Sequence, residues 1–183
     1  MQVTVIKNFI TQEEAIALNT FVFNSIAENK FSYSKIAPDG GKNLLSRFNR
    51  KLKFPETAMQ IKSRIQKLLE LEDKDTYTLW NKSGIAVSHS LNGPEIVPHK
   101  DVRQHNKSLL RCNVLSSASE KGGVLTVDGK EFELEALSMY LCLVSEYTHS
   151  VSKTEGKTPR ILWQFGFKID QKDWENKKIK VQE

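Results

Sequence analysis

The 183 residues suffice for one domain with a substantial core and are too few to suggest two. Hydrophobic content of 39% and charged content of 27% exclude a disordered or membranous chain. No apolar run nears the roughly 20 residues of a membrane span, and no basic-then-apolar leader opens the chain, so no membrane partner and a cytoplasmic setting are expected.

The net charge of +5, from 27 basic and 22 acidic residues, helps attract an anion without by itself implying nucleic acid. In chain order, Val3 and Val5 alternate with polar neighbours in a short strand, and Thr11 with Glu14 forms a capping box that opens a helix. Ala15, Leu18, Phe21, Val22 and Ile26 give that helix an apolar stripe that should pack on a sheet. Phe31 to Lys35 alternates like a strand before the turn residues Pro38 to Gly41. Lys42, Arg47, Arg50, Lys51 and Lys53 follow, with Phe48 and Phe54 interleaved and no acid among them. This stretch reads as a solvated loop anchored by its aromatics, or as a mobile loop that grips substrate through Arg47, Phe48 and Arg50. Pro55 opens a second amphipathic helix carrying Ala58, Ile61, Ile65, Leu68 and Leu69.

From Tyr77 short apolar runs alternate with Gly, Pro, Asn and Asp clusters, the pattern of an antiparallel sandwich or barrel. Strands are expected near 77–81, 84–90, 96–102, 108–116, 123–127, 130–135, 138–145, 149–153 and 160–169. Asp128-Gly129 marks a two-residue hairpin whose central positions need positive φ. Cys112 and Cys142 sit in apolar runs without metal or redox spacing and read as buried small hydrophobes. The expected fold is α+β but mainly β: a double-stranded β-helix, or cupin-like jelly roll, with N-terminal helices on one sheet. Residues 1–76 would be helical support, 77–170 the β core, and 171–183 a charged tail pinned back by Trp174.

The chemistry concentrates in Val97-Pro98-His99-Lys100-Asp101. Residues two apart on a strand share a face, so His99 and Asp101 project together, and His149 follows a buried strand that would bring it in from elsewhere in a sheet. Two imidazoles and one carboxylate on one face of a divalent metal leave its other positions open, as in non-haem Fe(II) oxygenases. A surface His beside an Asp is the bland alternative. His89 and His105 compete for the third place; His105 lies in a polar loop, whereas His89 could line the cavity. Arg160, eleven residues beyond His149 and across a turn, suits a bidentate grip on a carboxylate, with Lys153 and Lys157 in reserve.

The ordered set of His99-x-Asp101, Gly122-Gly123-Val124-Leu125, the apolar strand ending at His149-Ser150-Val151, Gly156 and Arg160 resembles the 2-oxoglutarate and Fe(II)-dependent oxygenases, most closely their prolyl-hydroxylase-like branch. The opening Val5 to Glu14 also resembles the entry to that domain, so the likeness covers nearly the whole chain. The resemblance implies Fe(II) held by His99, Asp101 and His149, with 2-oxoglutarate as co-substrate and its distal carboxylate on Arg160. It further implies consumption of O2, release of succinate and CO2, and hydroxylation of a C–H bond, on a protein or peptide residue ahead of nucleic acid. The family's tyrosine before the glycine preceding His-x-Asp is replaced here by Ser90, which leaves Ser88, Tyr77 and Asn113 as candidates for the second co-substrate contact. Substrate choice would lie with the loops near residues 36–54 and 103–108, including Arg103. A non-catalytic barrel that only binds ligands is the alternative from another class.

Overall fold

Long strands with apolar residues on both faces need cover on both sides, and the chain supplies it with helices on one side and a second sheet on the other. The computed structural model describes residues 3–36, 42–46 and 51–182. In chain order it comprises β1 (Val3–Ile6), α1 (Gln12–Ala27), β2 (Ser32–Ile36), β3 (Lys42–Leu45), α2 (Glu56–Leu68), β4 (Ile85–Leu91) and β5 (Ile96–His99). There follow β6 (Ser108–Ser117), β7 (Lys121–Gly122), β8 (Leu125–Val127), β9 (Lys130–Phe132), β10 (Met139–Leu143), β11 (His149–Val151), β12 (Thr154–Glu155), β13 (Arg160–Ile169) and α3 (Gln171–Gln182).

Seven strands form the major sheet in the order β1-β10-β6-β13-β4-β3-β2, and β5-β11-β8-β9 form the minor one, with β7 and β12 as a separate pair. All pairings are antiparallel. The result is the expected double-stranded β-helix with N-terminal helices against the major sheet.

Period-two alternation divides the major sheet into two chemistries. Leu110, Cys112 and Val114 of β6, Met139, Leu141 and Leu143 of β10, and Ile161, Trp163, Phe165 and Phe167 of β13 join one core with Leu18 and Val22 of α1 and Ile61 and Ile65 of α2. The intervening residues face the minor sheet, where Leu109, Leu115, Tyr140, Cys142 and Leu162 meet Leu125, Val127 and Val151 in a second core. The capping box forms as expected: the Thr11 hydroxyl accepts from the Glu14 N–H at 3.2 Å, and the Glu14 carboxylate accepts from the Thr11 N–H at 2.9 Å. Glu14 also pairs with Arg64, clamping α1 to α2.

Several expectations are corrected. Residues 77–81 are not a strand; the Tyr77 N–H reaches Gly166 O at 2.9 Å and the chain then turns through Asn81 to Gly84, whose φ of +65° ends any extended run. The basic stretch begins as β3, which pairs with β4 because Leu44 is needed in the helix-side core. With β1 and β2 also in the major sheet, the N-terminal segment is more than helical support. The charged tail forms α3, and Trp174, 1% exposed in the core, pins it back as expected. Pro55 occupies the N-cap of α2, one position earlier than read. Among the described residues no helix is long and apolar enough to cross a membrane.

Candidate active site

Between the sheets lies a cavity of about 250 Å³, and alternation explains why its major-sheet wall is polar. Arg111 and Asn113 of β6, Tyr140 of β10, Arg160 and Gln164 of β13, Ser88 and Ser90 of β4 and Asn43 of β3 all line it. Their odd-and-even partners fill the apolar helix-side core.

His99 ends β5 and His149 begins β11, and the two are direct cross-strand partners. Their ring centroids are 4.3 Å apart. Asp101 lies two residues beyond His99, and its N–H donates to Val144 O at 2.9 Å, which ties it to the end of β10. One ligand atom from each of His99, Asp101 and His149 can be chosen so that all lie within 4.8 Å of one another.

The imidazoles are oriented by their own backbone. His99 Nδ1 lies 2.8 Å from Val97 O and His149 Nδ1 lies 3.3 Å from Tyr147 O, so Nδ1 donates to the backbone in both rings and Nε2 is the nitrogen left to the site. His149 Nε2 is buried with no hydrogen-bond partner. Burial, followed by the nearby Arg111 charge, lowers the His149 pKa to about 4, so the ring is neutral at physiological pH. A buried acceptor without a proton, beside a second imidazole nitrogen and a carboxylate, fits a divalent transition metal.

Arg160 is 5% exposed, and its side chain passes over Gly123. A Cβ at Gly123, where φ is +70°, would sit 2.7 Å from Arg160 Cδ. Arg160 Nη2 is buried and unpartnered, and Arg160 hydrogen-bonds Tyr140, whose phenol is pushed up by burial against the opposing pull of Arg160. A guanidinium with a spare donor at the wall of a cavity can hold an anion. Asn113 Oδ1 is likewise buried without a partner.

The mouth is held by a polar knot. Ser90 Oγ donates to Asn43 Oδ1 and lies 2.9 Å from Thr154 Oγ1, which accepts from the Gly93 N–H at 2.8 Å. Asn43 Nδ2 donates to Pro94 O at 3.1 Å. This fixes the Gly93-Pro94 turn that sends the chain into β5 and on to His99.

The other expected residues divide. Ser88 and Asn113 line the cavity, but Tyr77 packs on Trp80 with ring centroids 5.2 Å apart and donates its hydroxyl to Val102 O at 2.8 Å. Arg103 is also outside the lining: its Nε lies 2.9 Å from Glu146 Oε1 and its Nη2 on Oε2, bracing the segment three residues before His149. His89 faces α1, edge-on to Phe23, because Ser88 and Ser90 take the cavity side. His105 is exposed at a turn with φ of +52°. Cys142 is buried as expected but on the cavity wall, its thiol pushed up to about 12 by burial. Arg47, Phe48 and Arg50 lie outside the described residues. Sequence reasoning missed Arg111, Tyr140 and Gln164; the usable signal was a polar residue at every second position of an otherwise apolar strand.

No family model matches the chain, and no curated protein matches its sequence. Solved structures do. A prolyl-4-hydroxylase from Pseudomonas putida superposes with a TM-score of 0.63 at 16% identity over 92% of this chain and 92% of that one. A Trichoplax adhaerens prolyl hydroxylase, solved with a hypoxia inducible factor peptide fragment, gives 0.66 at 12% identity over 96% and 86%. The non-haem alpha ketoglutarate dependent epimerase SnoN of nogalamycin biosynthesis gives 0.69 at 12% over 92% and 78%. At these identities the likeness establishes the fold, which is the double-stranded β-helix that these 2-oxoglutarate-dependent enzymes share.

Proposed function

We propose that the protein is an Fe(II)- and 2-oxoglutarate-dependent dioxygenase that hydroxylates a C–H bond of a protein or peptide residue such as proline, with release of succinate and CO2. The observation that carries this reading is the meeting of His99, Asp101 and His149 on a cavity that also holds the buried, incompletely paired Arg160. His99 and His149 offer Nε2, Asp101 offers a carboxylate oxygen, and Arg160 holds the distal carboxylate of the co-substrate. Iron, 2-oxoglutarate and O2 supply the oxidising chemistry when bound. Leu125, Val151 and Leu162 exclude water from the same cavity, which strengthens each charged contact inside it. Ile96 and Val97, 36% and 50% exposed, offer an apolar rim beside His99 to an uncharged peptide segment.

The prolyl hydroxylases among the structural neighbours, one with a bound peptide fragment, support a peptide substrate. Nucleic-acid demethylation is the second reading, resting on the basic residues that flank β3. An anaerobic titration with Fe(II) and 2-oxoglutarate, followed by the weak visible band of the chelate, tests the metal and co-substrate. Absence of that band sinks the enzyme reading in favour of a binding module. Succinate formation against proline-rich peptides and methylated oligonucleotides then tests the substrate class, and stimulation by oligonucleotides alone would reverse the choice.

A further inference from the structure

We infer that Arg111 is a positioning residue that restricts Asp101 to a single metal-ligating oxygen; this rests on the reading of His99, Asp101 and His149 as the metal centre. The two oxygens of Asp101 are committed to different neighbours. Oδ1 lies 3.8 Å from His99 Nε2, on the side of the imidazoles, whereas Oδ2 accepts a hydrogen bond from Arg111 Nη2.

Arg111 is an unusual residue for its place. It interrupts the apolar run of β6 between Leu110 and Cys112, and the side chain is 9% exposed. Burying a guanidinium there is costly without a counter-charge, and the counter-charge is Asp101. Trp80 holds the other side of the group, with its ring 5.3 Å from the guanidinium carbon. The backbone of Asp101 is fixed independently through Val144 O. Both ends of the carboxylate are thus constrained before a metal arrives.

A carboxylate free to rotate can close on a divalent cation with both oxygens. With Oδ2 engaged by Arg111, a third coordination position stays open beside the two that a chelating 2-oxo acid takes. The guanidinium also places a positive charge beside the metal, where it draws a dianion and does nothing for a cation. Removing it should therefore harm co-substrate binding and spare metal binding.

The test loads the purified protein with Mn(II), in place of iron, and counts exchangeable water ligands from the effect of ¹⁷O-water on the Mn(II) resonance. About three are expected in the wild type and about two in Arg111→Met, where Asp101 becomes bidentate. Mn(II) affinity should be unchanged or higher in Arg111→Met, while 2-oxoglutarate affinity falls by about tenfold or more. Arg111→Lys, which keeps a cationic donor, should restore the third water. Three waters in Arg111→Met overturn the inference, as do two in the wild type, a result readable even if the variant does not fold. A wild type that takes up no Mn(II) overturns the metal-centre reading itself, whereas normal uptake with an unaltered Arg111→Met overturns only the clamp.

Discussion

His149 is neutral in the folded chain well below the ordinary histidine pKa, and this has a thermodynamic consequence for the metal-free protein. Its folded pKa of about 4 lies below the ordinary histidine value of 6.5, so between those limits the unfolded chain binds a proton that the folded chain refuses. Stability is then full above pH 6.5 and falls as pH drops toward 4, by on the order of 2 to 3 kcal/mol after allowance for partial exposure. His89, also lowered by burial, adds a slope of the same sign. Urea unfolding of the metal-free protein across this range should show the decline, and His149→Gln should reduce the slope while leaving the His89 part. The same substitution, or His149→Ala, should abolish turnover and weaken Fe(II) binding, because a three-ligand face has no redundancy. Normal iron binding by His149→Ala would remove this residue from the site. Arg160→Met has a different signature: 2-oxoglutarate affinity should fall by about 2 to 5 kcal/mol with metal affinity barely changed, as measured calorimetrically on Mn(II)-loaded protein. Equal co-substrate affinity in the two proteins would exclude the role.

At the scale of elements, two glycines with similar backbone angles make a controlled pair. Gly123 has φ +70° and no room, its Cβ position lying 2.7 Å from Arg160 Cδ and 2.9 Å from Ser119 Oγ. Gly129, in the β8-β9 hairpin, has φ +80° and nothing within 4 Å. Each alanine variant should cost about 1 kcal/mol for the left-handed backbone. Only Gly123→Ala should also displace Arg160 and weaken 2-oxoglutarate binding; equal co-substrate affinity in both variants would show that the close approach is irrelevant. The Gly-Gly pair was legible as part of a family pattern, and Asp128-Gly129 as a turn, since both depend on local backbone chemistry. The three-residue cluster was also legible from His99-x-Asp101 and from the long apolar run before His149, although β5 ends at His99 and it is the Val144 carbonyl, not strand periodicity, that holds Asp101 in place. What could not be read was where the chain passed between layers. Tyr77 looked like a strand residue aimed inward, but its place depends on Gly166, nearly 90 residues away, and a single-residue change of phase reverses which side it faces. Arg111 was overlooked because its meaning comes from Asp101, ten residues distant and on another element.

Seen whole, the molecule holds its site from both chain ends. β1 pairs with β10, α3 lies against β1, and β10 leads through Val144 to His149. The tail reads as charged because ten of its last thirteen residues are charged or amide-bearing side chains, with Trp174 as the apolar anchor that pins it back. Trp174 is 1% exposed and belongs to the helix-side core, away from the cavity. Trp174→Ala should therefore cost about 3 to 5 kcal/mol, lowering the melting temperature by roughly 10 °C for a domain of this size. Its indole nitrogen has no hydrogen-bond partner, so Trp174→Phe loses packing volume alone and should cost less than half as much. Since the cavity lining does not include this residue, Mn(II) affinity below the transition should match the wild type in both variants. A melting temperature unchanged in Trp174→Ala would mean that the C-terminal helix contributes nothing to global stability. A selective loss of metal binding with stability intact would instead mean that α3 acts on the site through β1 and β10, and thermal melts and Mn(II) titrations on the same preparations separate these outcomes.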